Sequence, residues 1–251
     1  MTTDEKLGNA SSVASLIDHT LLRPEATLQD IAALCLDAVR FRFATVCINP
    51  YWVPFAAERL AGSSVAVCTV IGFPLGANQT RVKLAEAETA LLEGARELDM
   101  VQNIGAFRSG ESSRVRDEIA ALASLSHSQA ARLKVILETC LLNEEEKVLA
   151  CQLAVEAGAD FVKTSTGFAA AGATVQDVEL MRHTVGDAAG VKAAGGIRTL
   201  AALREMVRAG ADRIGTSAGV KIVVEMDGEE GGAAPVPLST VRIPGGNPDT
   251  Y

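Results

Sequence analysis

Apolar, β-rich runs alternate with helical periodicity along nearly the whole chain, and that alternation limits the folds open to it. With "LIDHT" as the first strand, later runs at 43–49, 64–72, 97–103, 133–139, 161–165, 190–194 and 213–216 complete eight strand–helix cycles. Helices are expected at 27–39, 54–60, 78–94, 115–125, 174–185, 199–209 and 217–226. A further helix opens on Asn143 as N-cap, with acids in its first turn, and closes on Gly158. In the helix at 78–94, Leu84, Leu91 and Leu92 make the apolar face and Lys83, Glu86 and Glu88 the polar one.

Continuous apolar strands are those of a parallel sheet covered on both faces. A doubly wound open sheet would satisfy this, but eight regular cycles in about 225 residues favour a closed α/β barrel of the (β/α)8 TIM type. The expected domain spans 1–226. Residues 227–251 carry five glycines and four prolines without periodicity and read as a tail over the surface or a mobile arm. One junction recurs: "AGADFVKTS" at 157–165 and "AGADRIGTS" at 209–217, each a helix end at Gly, then Ala-Asp, then a strand leaving through Thr-Ser.

The apolar fraction of 48% supplies ample core. No apolar run approaches the roughly 20 residues of a membrane span, and the polar start "MTTDEKLGNASS" is unlike a secretory leader. A net charge of -8 argues against a nucleic-acid partner. Cys35, Cys47, Cys68, Cys140 and Cys151 form no CxxC pair and sit in apolar segments, which suits a reducing cytoplasm. His19, His127 and His183 are far apart, so a zinc mechanism would lack ligands; no metal and no cofactor are expected.

Barrel chemistry sits at strand C-termini. Here those ends carry Asp18, Asn49, Asp99, Asn103, Glu138, Lys163, Ser165, Lys192 and Ser217, many polar groups for an inert core. Strand parity puts Lys163 with Ser165, Asp99 with Val101 and Asn103, and Lys192 with Ala194, so two lysines and an aspartate can converge in one pore. A lysine attacks a carbonyl only as the free amine, which at a pKa near 10.4 is roughly a few in ten thousand at neutral pH. Desolvation and a neighbouring cation lower that value, and Lys192 one strand away could supply the cation. Asp99 could then relay protons. The competing reading is a structural ion pair between Lys163 and Glu138 or Asp99. Gly-rich turns follow strands six to eight: "STGF", "GG" and "GTSAG". They place bare N–H groups where such barrels hold phosphate, although glycine also serves ordinary tight turns.

In order along about residues 15–220 stand "IDHTLL", "VCINP", "VIGFPLG", "LDMVQNIG", "LKVILET", "VKTSTGF", "GVKAAGGIRT" and "RIGTSAG". These motifs resemble the deoxyribose-phosphate aldolase family, whose members are class I, Schiff-base-forming aldolases. The resemblance implies reversible cleavage of 2-deoxy-D-ribose 5-phosphate to D-glyceraldehyde 3-phosphate and acetaldehyde, in deoxyribonucleoside breakdown. Residue by residue, it implies Lys163 as the Schiff-base lysine, Lys192 as the group that perturbs it and moves protons, Asp99 as acid/base and Asp18 as their support. Gly167, Gly195, Gly196 and Ser217 would cradle the phosphate, with Thr166 in the same loop and Cys47 lining the pocket. Tyr251 corresponds to a terminal tyrosine that reaches the site in some members. Gln102, where the pattern has an aliphatic residue, is expected to face the helices and matter little. The expected partners are a phosphorylated aldehyde or sugar and further copies of the chain, as dimer or tetramer. Two alternatives stay open: a barrel aldolase acting on another phosphosugar, and a non-catalytic phosphosugar-binding protein.

Overall fold

A computed structural model describes residues 2–229 and Gly231. Two short helices, α1 (Thr3–Lys6) and α2 (Ala10–Ala14), precede the first strand. The alternation then runs β1 (Ile17–Leu21), α3 (Leu28–Phe41), β2 (Thr45–Ile48), α4 (Val53–Arg59), β3 (Ala66–Ile71), α5 (Thr80–Leu92) and β4 (Glu97–Val101). It continues through α6 (Ile104–Arg108), α7 (Ser112–Ser128), β5 (Arg132–Ile136), α8 (Glu144–Glu156), β6 (Phe161–Lys163), α9 (Val175–Val185), β7 (Gly190–Ala194), α10 (Leu200–Arg208), β8 (Arg213–Thr216) and α11 (Gly219–Glu229). Each strand pairs in parallel with the next and β8 returns to β1, closing an eight-stranded barrel.

The helices cover the sheet through periodic apolar faces. Ile31, Leu34, Cys35 and Ala38 are the buried stripe of α3, and Leu200, Leu203, Met206 and Val207 that of α10. Thr27 with Asp30, and Asn143 with Glu146, close capping boxes at the starts of α3 and α8. The helix at α5 departs from its expected pattern. Leu92 is exposed, while Lys83 is wholly buried and donates to Glu118 (2.6 Å) and the Val101 carbonyl (2.8 Å). A partner on α7 and a strand-end carbonyl make a lysine acceptable there, and neither could be seen in the periodicity of α5 alone.

The repeated AGAD junction is one device used twice. Gly158 and Gly210 take positive φ at the helix ends. The Asp160 and Asp212 carboxylates then accept the N–H groups of Leu133 (2.7 Å) and Val191 (3.0 Å), tying each junction to the base of the preceding strand. Among the described residues no helix is long and apolar enough to cross a membrane. The last helix runs to Glu229, past the expected 226. Tyr251 and most of the Gly/Pro-rich segment lie outside the described residues.

Candidate active site

The pore is charged. Asp18 comes from β1, Glu97 and Asp99 from β4, Lys134 from β5, Lys163 from β6, Lys192 from β7 and Arg213 from β8, all buried. Register decides which of them meet. Lys163 and Lys192 are direct neighbours across β6 and β7, and Asp99 and Lys134 across β4 and β5.

Asp99 is the hub. Its Oδ2 accepts from Lys163 Nζ and from Lys192 Nζ, each at 2.7 Å, so the two amines are at most twice that distance apart. Its Oδ1 accepts from Lys134 Nζ at 2.8 Å and from Cys68 Sγ at 3.2 Å. Burial alone would raise the Asp99 pKa, but Lys134, Lys163 and Lys192 hold it well below the usual carboxylate range. Asp18 is held low in the same way, by Arg213 (2.6 Å), Lys192 and Lys134 against the opposing effect of burial. Glu97 completes the deep end, 2.6 Å from Lys134 and 2.9 Å from Arg213.

The cations respond in turn. Burial pulls Lys192 down, and the charges of Asp18 and Asp99 more than offset it, leaving its pKa raised. Lys134 is raised for the same reason, against burial, by the carboxylates of Asp99, Glu97 and Asp18. Sequence parity led to an expectation of Lys192 as the charge beside Lys163. The two are adjacent, but the carboxylate of Asp99 stands between them, and Asp99 is the ion-pair partner of Lys163 among the described residues.

Lys163 is the member of this group that reaches open space. It lines a cavity of about 300 Å³ with Thr20, Arg23, Thr166, Gly167, Phe168, Gly195, Gly196, Arg198 and Ser217 among its walls. The volume suits a small sugar phosphate. Among the described residues the backbone N–H groups of Gly167, Gly195, Gly196 and Ser217 find no protein acceptor, while the next one, Ala218 N–H, is taken by Thr216 Oγ1. Four such donors around one cavity can bind an anion. The loops that carry two of them are interlocked. Ala173 N–H donates to the carbonyls of Ala194 (3.0 Å) and Gly195 (3.1 Å), and Gly172 sits so close that a Cβ there would be 2.2 Å from the Gly195 oxygen. At the rim, Phe168 packs edge-on against Phe73 with ring centroids 5.2 Å apart.

Some sequence-derived residues are elsewhere. Cys47 is wholly buried, packed with Leu22, Cys68 and Val70, and is not in the cavity wall. Its thiol pKa is lowered, first by a hydrogen bond with Cys68 and against burial, whereas burial and that same bond push Cys68 well up. Asn103, expected in the pore by parity, instead caps α6 through Ala106 N–H. Gln102 ties the exit of β4 to that of β5 by donating to the Leu137 carbonyl at 3.0 Å. Sequence reading missed Lys134, Glu97 and Arg213, although Lys134 interrupts an apolar strand just as Lys163 does. It also missed Arg23 and Arg198, both at the cavity. Two donor sets, Cys47–Cys68–Asp99 and Asp18–Cys68–Glu97, are compact enough to share a metal ion, but Lys134, Lys192 and Arg213 already occupy their acceptor oxygens.

A closed barrel with a lysine–carboxylate pore opening on a cavity lined by glycine-rich loops is the build of a barrel aldolase. A model of the DeoC/LacD family of aldolases matches residues 12–224. A Brevibacillus brevis protein named deoxyribose-phosphate aldolase is 59% identical over 210 residues, covering 82% of this chain and 93% of that relative. One of the same name from Thermococcus kodakarensis is 56% identical over 217 residues, covering 86% and 97%. A solved deoxyribose phosphate aldolase from Aeropyrum pernix, described as tetrameric, superposes with a TM-score of 0.83 at 37% identity, covering 88% of this chain and 93% of its own. The chain belongs to the DeoC/LacD family of aldolases.

Proposed function

We propose that this chain is a deoxyribose-phosphate aldolase, cleaving 2-deoxy-D-ribose 5-phosphate reversibly to D-glyceraldehyde 3-phosphate and acetaldehyde through a Schiff base on Lys163. The observation that carries the reading is the position of Lys163: among the described residues it alone joins the buried charge cluster to the cavity. Its amine would attack C1 of the open aldose and lose water to give an iminium. Removal of the C3 hydroxyl proton then breaks the C2–C3 bond, releasing glyceraldehyde 3-phosphate and leaving an enamine. Protonation at C2 and hydrolysis return acetaldehyde and the free amine. Asp99, 2.7 Å from both Lys163 and Lys192, is the group through which protons can pass between them. Lys192 is the donor held charged by Asp18.

The reaction needs Lys163 uncharged. With that amine uncharged, Lys134, Lys192 and Arg213 face Asp18, Glu97 and Asp99, and the pore carries no net charge. The N–H groups of Gly167, Gly195, Gly196 and Ser217, without an acceptor among the described residues, support a phosphate at the far end of the substrate, and Arg198 adds a cation to that wall. The tetramer of the A. pernix relative supports association of this chain into an oligomer. Its free cysteines are consistent with a reducing cytoplasm.

Borohydride reduction in the presence of acetaldehyde, followed by peptide mapping, tests the mechanism. An N-ethyl group on Lys163, absent from Lys163→Met, is expected. A label on Lys192 instead would reverse the two lysine roles, and no label on either would end the Schiff-base reading.

A further inference from the structure

Glu138 combines two features that are unfavourable in isolation. Just past the end of β5, its backbone adopts φ 57 and ψ 63, the left-handed region that a side chain with a Cβ disfavours. Its carboxylate is only 2% exposed, and its polar partners among the described residues are Thr166 and Cys140, neither of them a cation. Buried carboxylates are rarely left without one. Strain and an unpaired buried acid at one residue point to a functional reason for keeping it.

Both features converge on Thr166 in the next loop. Thr166 N–H donates to the carboxylate, 3.3 Å from each oxygen, and Thr166 Oγ1 donates to Oε2. The same hydroxyl accepts from Phe168 N–H at 3.1 Å. The loop therefore curls about Thr166 and leaves Gly167 at its apex, with φ 85 and an N–H that finds no protein acceptor among the described residues. The Thr166 hydroxyl already donates its hydrogen bond to Glu138, so it has no donor left for a ligand. That makes Thr166 part of the loop's frame.

We propose that Glu138 is a positioning residue for phosphate recognition: it fixes the Thr166 turn so that Gly167 N–H stays available, opposite those of Gly195, Gly196 and Ser217. This inference rests on the reading that the cavity takes a phosphorylated aldose. It assigns Glu138 no contact with the reacting carbonyl, so its loss should weaken recognition of the phosphate and leave imine formation alone.

The test compares wild type with Glu138→Gln, Glu138→Ala and Glu138→Asn on 2-deoxyribose 5-phosphate, on unphosphorylated 2-deoxyribose, and in borohydride trapping with acetaldehyde. Asn tolerates the left-handed backbone but is one methylene too short to reach Thr166. Ala and Asn should raise KM for the phosphorylated sugar about tenfold or more, while Gln, whose amide oxygen still accepts, stays within roughly threefold. The kcat/KM for the unphosphorylated sugar and the extent of trapping should stay within roughly twofold of wild type. Unchanged KM in Ala and Asn with an active wild type refutes this inference alone. Parallel loss of trapping and of both sugars refutes it too, making Glu138 a support for the barrel as a whole. A wild type inert toward the phosphorylated sugar refutes the substrate reading and this inference together.

Discussion

Replacing Lys134 by methionine keeps most of the side chain's volume and deletes its charge. Lys134 Nζ lies 2.6 Å from Glu97, 2.8 Å from Asp99 and 3.7 Å from Asp18, with no part of the side chain exposed. Removing one partner from a buried ion pair costs about 3–5 kcal/mol, because the remaining charge is left uncompensated. At roughly 2–4 °C of Tm per kcal/mol for a domain of this size, Lys134→Met should melt roughly 6–20 °C below wild type. The same replacement at Lys163 removes a group with a single carboxylate partner among the described residues, and that partner's Oδ2 is also bonded to Lys192. Three cations and three carboxylates would remain, so Lys163→Met should stay within about 1 kcal/mol of wild type while losing turnover. Denaturant titrations of both variants at neutral pH, followed by circular dichroism, measure the contrast. Equal losses, or a larger loss at Lys163, would refute the charge balance assigned to the pore.

Two further outcomes follow from features outside that network. His19 is buried against Phe43, with Asp37 4.0 Å from its Nε2, and burial first of all pulls its pKa down to about 4 from an ordinary 6.5. Below 6.5 the unfolded chain binds the proton more readily, so this contribution is complete above 6.5 and is lost as pH falls toward 4, by about 3 kcal/mol in all. His19→Gln should flatten that stretch of a Tm-against-pH curve, and an unchanged slope would exclude His19 as its source. Gly172→Ala places a methyl 2.2 Å from the Gly195 oxygen, and since backbone must yield, a loss of about 1–3 kcal/mol and a raised KM are expected; wild-type kinetics would show that the two loops are not interlocked.

The barrel was legible because parallel strands covered on both faces leave long apolar runs, and eight of them interrupt the helical pattern in order. Lys163, Lys192 and Asp99 were legible as charges inside such runs. Strand parity named the face they share but not their height along the barrel axis. Height comes from the register of neighbouring strands, which set Asp99 between the two lysines and level with Lys134. Lys134 itself carried the same signal as Lys163, a lysine in an apolar strand, but no glycine turn follows it to mark chemistry. Lys83 was misread because helix periodicity treats every lysine as solvent-facing, and its partners, Glu118 and the Val101 carbonyl, are distant in sequence. Glu138 was legible only as a polar strand-end group and a possible ion-pair partner of Lys163, a role that Asp99 takes; its left-handed backbone and its hold on Thr166 are tertiary.

A pore that is neutral around a free amine responds unequally to the steps of catalysis. In the proposed reaction, condensation with an aldehyde would install a cation beside Asp99, tipping the interior to four positive groups against three negative ones. Cleavage of the carbon–carbon bond would send an electron pair into that nitrogen and cancel the surplus. On the proposed mechanism, the surroundings of Lys163 would therefore disfavour the charged intermediate and favour the bond-breaking step that discharges it.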